Sequence, residues 1–422
     1  MSCRAVPYQV CPVTVIFEHE HEHEHETPNA ERQTPNAKRQ TPSPSAFARY
    51  PTRGLTCVVM KPLLDYHAEE KLDKTLVTLG ALVAGGYLLS RFLNYHPRPV
   101  ENMQVHNCGG APVLSPGQAI KVITYNAQFF AGTRYNFFYD GGPDTLVDPE
   151  DVYSTISRFA KFIADERPDF VLLQEVDSGA RRTAGLDEVS LLREALPLDL
   201  RNYVTADYWR SRFVPHPKIW GPAGTKLVIF SKYRLGTARR YRLPLRPGNP
   251  IANDFNLKRA ILAVEVPRRD GGALAILNTH LDAFPNGTDI MDRQMNKLHR
   301  FLAHLDDQNQ PWIIGGDFNL LPPGQRARLP VGTRGTYGEP SAITQIYRNY
   351  QGVPTVHDAT AKAMDQFFTY TVRSESKRIP ARTLDYLFTA PSLTVEKYEV
   401  RQDGMLDLSD HLPVVADFRL PG

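Results

Sequence analysis

Beyond Cys108 the chain contains no cysteine, and the other three, Cys3, Cys11 and Cys57, lie nearer its start. Most of the sequence therefore carries neither a disulfide framework nor a thiolate metal site. Charge of one sign is also missing. The 49 Lys and Arg against 46 Asp and Glu leave a net +3, too little for a global attraction to nucleic acid or to an acidic membrane. No Gly-x-x-x-x-Gly-Lys loop precedes a helix, which argues against a nucleoside triphosphatase. No Gly-x-Ser-x-Gly elbow offers a nucleophilic serine. What the 422 residues do have is 42% hydrophobic and 10% aromatic content, enough for one large core.

Residues 1–70 read as a disordered, low-complexity region. A Glu-His alternation runs from Glu18 to Glu26, followed by repeated Thr-Pro-Asn-Ala segments that bury too little apolar surface to offset chain entropy. His19, His21, His23 and His25 could chelate a transition metal, but no second ligand set fixes a geometry, and a solvated polar tract is the better reading. A metal-handling protein built on this tract, or a tethered binding module without turnover, are the rivals to an enzyme.

Thr75 to Ser90 carry no charge and are bracketed by Lys74 and Arg91. A spanning helix needs about 20 residues. With snorkelling ends and the extension Phe92-Leu93, a hydrophobic helix over 71–93 serves as a single membrane anchor, with a helix packed on the domain as the blander alternative. Lys61, Lys71 and Lys74 before it and Arg91 and Arg98 after it leave the orientation open. A secretory signal is disfavoured by the long stretch that precedes it. The expected location is therefore a membrane surface, with a soluble intracellular protein as the alternative.

Residues 94–117, with Pro97, Pro99, Pro112 and Pro116, read as a linker, and 118–422 as the catalytic domain. There, strand-like runs recur at Ile120–Tyr125, Asp169–Leu173, Tyr203–Trp209, Lys226–Ser231, Ala260–Val266, Ala273–Asn278, Trp312–Ile314, Phe368–Val372, Thr383–Phe388 and Val414–Phe418. Helical patterns interrupt them near 149–166, 186–195, 289–306 and 340–350. Strands this numerous and helices this few predict two mixed sheets packed face to face, with helices outside.

Five polar clusters close or open these apolar runs: Tyr125-Asn126, Gln174-Glu175, Asn278-Thr279-His280-Leu281-Asp282, Gly315-Gly316-Asp317-Phe318-Asn319 and Ser409-Asp410-His411. Taken singly, each has a bland explanation as a turn former or an exposed strand end. Asp385 is a lone acid in an apolar strand and needs a partner, for which a histidine is the natural choice. Together they supply Glu175, Asp317 and Asp410 as hard oxygen donors, Asn126 and Asn319 as neutral amides, and two imidazoles. That inventory suits Mg²⁺ or Mn²⁺ better than zinc, and the chemistry of phosphoester hydrolysis.

In this order, Tyr125-Asn126, Leu173-Gln174-Glu175, Asn278-Thr279-His280-Leu281, Gly316-Asp317-Phe318-Asn319, Leu384-Asp385-Tyr386 and Ser409-Asp410-His411 resemble the endonuclease/exonuclease/phosphatase (DNase I-like) superfamily over about residues 119–420. The resemblance implies a four-layer α/β/β/α sandwich with its site at one edge of the two sheets. It implies a Mg²⁺-dependent hydrolase of phosphodiester or phosphomonoester bonds. Glu175 would be the main Mg²⁺ ligand, with Asn126 and Asp410 beside it. His411, held by Asp385, would be the general base, with Asp317 orienting or deprotonating the water. Asn319 and His280 would hold the scissile phosphate. The substrate is expected to be a phospholipid, as in sphingomyelinase-like members, or nucleic acid. Arg181-Arg182 and Trp209-Arg210-Ser211-Arg212 are candidates to grip phosphates or single strands.

Overall fold

The computed structural model describes residues 63–283, 287–334, 337–374 and 377–422. The Glu-His tract and most of the low-complexity region lie outside them. The first element is helix α1 (Leu63–Leu93), which begins well before residue 71. Its stretch Lys74–Leu93 is long and apolar enough to cross a membrane. Leu76, Val77, Leu82 and Leu88 on it are between 56% and 72% exposed.

The chain then builds β1 (Val100–Asn102), β2 (Val105–His106), β3 (Ala119–Asn126), β4 (Phe170–Asp177), β5 (Asn202–Val214), β6 (Gly221–Ser231), β7 (Ala238–Arg242) and β8 (Ala260–Pro267). The later strands are β9 (Ala273–His280), β10 (Trp312–Asp317), β11 (Gln351–Val353), β12 (Tyr370–Ser374), β13 (Lys377–Arg382), β14 (Asp385–Thr389), β15 (Thr394–Val400) and β16 (Val414–Arg419). They form two seven-stranded mixed sheets, ordered β1-β7-β8-β9-β10-β14-β11 and β15-β16-β3-β4-β6-β5-β2, with β12-β13 a separate ribbon. Residues 94–117 are thus not simply a linker. β1 edges the first sheet along β7, and β2 edges the second along β5. Their prolines hid this, because two- and three-residue edge strands have almost no periodicity to read.

Helices α2 (Pro149–Glu166), α3 (Glu188–Ala195), α4 (Pro250–Phe255) and α5 (Ile290–Asp307) complete the main frame, a four-layer α/β/β/α sandwich. In α2, Asp148 caps the N-terminus by accepting from the Glu150 N–H, and Pro149 occupies the first turn, where a missing N–H is harmless. Val152, Ile156, Phe159, Ala160 and Ile163 recur at helical spacing and are buried. Phe159 stacks on Tyr125 of β3 at 5.2 Å, a fully buried ring contributing roughly 2–3 kcal/mol. On the far side, Leu298 and Leu302 of α5 enter the core and Phe301 packs on Tyr241 of β7.

Between the sheets lies a polar seam. The Gln174 side-chain amide donates to Asn278 Oδ1 at 2.7 Å and to Thr124 Oγ1 at 3.1 Å. The Asn278 amide donates in turn to the carbonyls of Leu173 and Val228, at 2.8 and 2.9 Å. Gly315 allows the close approach just above: a Cβ there would lie 2.7 Å from Leu387 Cδ2 and 3.0 Å from Thr124 Cβ. At Gly316 a Cβ would stand 1.9 Å from the Thr279 carbonyl oxygen, so only glycine fits.

Candidate active site

Several strands release their site residues at one edge of the sandwich. In the first sheet, β9, β10 and β14 lie side by side, and their register aligns His280 with Asp317 and Asp317 with Asp385. The apolar runs predicted the strands to stop at Asn278 and Ile314. The ladders continue to His280 and Asp317, because backbone pairing does not depend on the side chains turning polar.

In the second sheet, Asn126 ends β3 and pairs with Gln174 of β4. β4 was expected to stop at Leu173 but runs on to Asp177 through a register shift between Leu173 and Val176. Glu175 sits on this bulge with φ 56°, a left-handed conformation uncommon for a residue with a Cβ. The bulge turns its carboxylate toward the edge cavity, where it is 21% exposed. Asn319 just after β10 is also left-handed, at φ 51°. Such strain concentrates where geometry serves function.

Asp317 is the hub. It is 1% exposed, accepts from Asn126 Nδ2 at 3.1 Å and from the Asn319 N–H at 2.9 Å, and lies 3.3 Å from His280 Nε2. His411 approaches from the loop before β16. Its Nδ1 is 2.7 Å from Asp385 Oδ2, and its Nε2 is 3.7 Å from Asp317 Oδ2. The second gap is too long for a hydrogen bond and suits two groups flanking one water. Ser409 fixes the loop, donating to the Asn126 carbonyl at 2.8 Å and accepting from the His411 N–H at 3.1 Å. His280 Nδ1 lies 3.4 Å from the Tyr208 hydroxyl, and Nε2 3.9 Å from Glu175 Oε1.

Burial dominates the electrostatics. Desolvation, reinforced by the nearby Asp410 charge, lifts Glu175 to about 7. Desolvation and Asp385 lift Asp317 to about 7 against the pull of His411. Asp385 is also raised by burial, and its Oδ1 is enclosed without a donor. On His411, burial opposes the charged form, but Asp385 and Asp317 outweigh it and hold the imidazole well above its usual range. His280 moves the other way, kept neutral by burial and by the positive Arg259 and His411.

Two groupings bear on a cation. The ligand atoms of Asp317, Asp385 and His411 lie within 4.8 Å of one another. His411 Nδ1 is already engaged by Asp385 there, which leaves Nε2 as the open nitrogen of the trio. Glu175, Asp410 and Asn126 make an all-oxygen donor set instead. The Asp410 charge disfavours ionisation of Glu175, and no described cation forms an ion pair with Asp410. Asn126 Oδ1 accepts from the Gln128 N–H but keeps a second lone pair. Two carboxylates with a neutral amide fit a Mg²⁺-type ion.

The structure brings all the predicted site residues to this edge, and of the predicted basic grips Arg182 and Trp209 line the same cavity, with their polar groups already engaged. Arg182 is bonded through two nitrogens to buried Asp177 and lies over the Phe129 ring. Arg181 donates to the carbonyls of Ile219 and Trp220, and Arg210 pairs with Asp207. Arg212 lies over Phe92. Sequence reading missed Tyr208, Arg246 and Arg259, which line the same cavity. Lys258-Arg259, standing directly before the apolar run at Ala260, was the available signal.

The profile of the Endonuclease/Exonuclease/phosphatase family matches residues 123–411. Among curated sequences, a UPF0294 protein of Photorhabdus laumondii is 26% identical over 38% of this chain and 58% of its own. The chain thus spans less than two thirds of that relative. A UPF0294 protein of Vibrio vulnificus is 25% identical over 57% of this chain and 69% of its own. Among solved structures, an endonuclease/exonuclease/phosphatase from Beutenbergia cavernae is 22% identical with TM-score 0.48, covering 72% of each chain. The catalytic domain of human Nocturnin is 17% identical with TM-score 0.45, covering 71% of this chain and 93% of that one.

Proposed function

The chain belongs to the endonuclease/exonuclease/phosphatase family, whose members hydrolyse phosphoric esters, and on that premise we propose that it is a Mg²⁺-dependent phosphodiesterase. The observation that carries this reading is the buried trio in which Asp385 holds His411 at 2.7 Å and Asp317 faces it across 3.7 Å. A water between Asp317 and His411 Nε2 meets both candidate bases. As its oxygen attacks phosphorus and the ester P–O bond breaks, its proton passes to the trio. Asp317 is the acceptor, because Asp385 and Asp317 already hold His411 as an imidazolium, which can give its Nε2 proton to the leaving oxygen.

Glu175, Asp410 and Asn126 would hold the cation, which when bound neutralises phosphoryl oxygens and the leaving group. His280, kept neutral, donates a hydrogen bond without adding a proton equilibrium of its own. The Asn319 amide, now shared between Asp317 and the Leu281 carbonyl, is placed to turn to a phosphate oxygen. The apolar, exposed stretch Lys74–Leu93 supports tethering at a membrane surface.

The full-length protein in detergent is expected to hydrolyse bis(p-nitrophenyl) phosphate with Mg²⁺ and to stop on addition of EDTA. Hydrolysis that persists in EDTA, or survives both Glu175→Gln and His411→Ala, would sink the assignment.

A further inference from the structure

Beside the reaction centre the cavity has a second charged wall. Arg259, at the head of β8, is 5% exposed and lies against the Tyr208 ring at 5.1 Å, while the Tyr208 hydroxyl meets His280. Arg246 stands next to it. Both face one carboxylate, Asp282, at 3.5 Å from Arg259 Nε and 3.8 Å from Arg246 Nε. Neither distance makes a hydrogen bond. Asp282 is itself held by Gln294 of α5, which donates to its carboxylate at 2.9 Å and accepts from its N–H at 3.0 Å. Two guanidiniums therefore meet at one fixed carboxylate, and Arg246 also donates to the Ala283 carbonyl.

Arg259 is unusual among the described residues. It alone of the arginines has two buried donors, Nε and Nη1, without an acceptor. A buried donor left unpaired is costly, and on a charged group more so. Phosphate oxygens would complete it, since a guanidinium matches them in both charge and geometry. Phe129, Phe138 and Ile219 add apolar lining to the same cavity, but the rings already lie beneath cations: Arg182 over Phe129 and Lys218 over Phe138.

We propose that Arg246 and Arg259, braced by Asp282, form a second phosphate-binding subsite, so that the preferred substrate carries a further phosphate beside the scissile one. This rests on the phosphodiesterase reading. A choline head group is a cation and would meet guanidiniums and rings already covered by cations in this cavity. The wall therefore disfavours a substrate whose one phosphate is joined to choline. The second phosphate could come from a nucleotide chain or from a phosphorylated inositol.

Full-length wild type and Arg246→Gln are compared on oligothymidylate, glycerophosphoinositol 4-phosphate, glycerophosphocholine and bis(p-nitrophenyl) phosphate. In wild type, one of the two multiply phosphorylated substrates should be preferred, and which one identifies the source. In the variant, kcat/KM on that substrate should fall at least about tenfold further than on bis(p-nitrophenyl) phosphate. Arg259→Lys, which keeps the charge but not the fork of donors, should fall between. Equal losses on both substrates, or a wild-type preference for glycerophosphocholine, would overturn the subsite.

Calorimetric titration with pyrophosphate in EDTA separates this proposal from the one it rests on. Weaker binding by Arg246→Gln supports the subsite even if no ester is cleaved, and unchanged binding overturns it.

Discussion

The two sheets contribute unlike halves of one site. The sheet holding β9, β10 and β14 presents His280, Asp317 and Asp385 in a straight row on regular ladders, with Asp317 and Asp385 essentially inaccessible to solvent. The sheet holding β3 and β4 presents Asn126 and Glu175 from a strand end and a left-handed bulge, with Glu175 open to the cavity. Protons are best managed where water is scarce and positions are fixed, whereas a hydrated hard cation must enter from solvent and exchange its waters. His411 crosses between them, entering from the strand-β16 side to bond Asp385 on the other.

The comparison breaks most sharply at His411. His411→Ala should lower kcat by about 10³–10⁴ while leaving Mg²⁺ affinity, followed by calorimetry, within a few-fold. A parallel collapse of Mg²⁺ affinity would mean that the halves are not separate. The seam that joins them comes next. Asn278→Ala removes the donor to two buried carbonyls and the acceptor of Gln174, and should destabilise by about 3 kcal/mol in urea unfolding. A loss under about 1 kcal/mol would show that the sheets are held by apolar packing alone.

Glu175 sharpens the solvent-open half. Its carboxyl is raised from 4.5 to about 7 on folding, so the folded state binds the proton more tightly than the unfolded chain. The resulting stabilisation is full below about 4.5 and disappears as pH rises through 7. Metal-free wild type should therefore gain on Glu175→Gln, by on the order of 2 kcal/mol, when the pH is lowered from 8 to 5. Added Mg²⁺ should remove that difference at pH 8, and thermal melts that keep a constant gap across the range would refute it. The smallest effect concerns the edges. A chain starting at residue 118 loses β1 and β2 and should melt several degrees below one starting at 94, with kcat little changed.

The frame was legible because its signals are local. Alternating and continuous apolar runs marked the inner strands, and the helical pattern over 149–166 marked α2. The polar clusters announced the site because each interrupts an apolar run where solvation or a partner is required. The bulge at Glu175 was not legible, since its register depends on β6 across the ladder. Nor were Arg246 and Arg259, whose meaning comes from Asp282 and Gln294 far along the chain. Conversely, Gln174 and Asn278 looked like chemistry and proved to be the fastening between sheets. An amide at a strand end has the same spelling in both roles.

Asn126 donates to Asp317 across that same seam. The bond makes the candidate site a gauge of the gap between the sheets, closed only when Gly315 lets the two layers meet. Slow heating should therefore silence the enzyme before its helices melt, and any lineage changing its substrate would find loops safer to alter than strands.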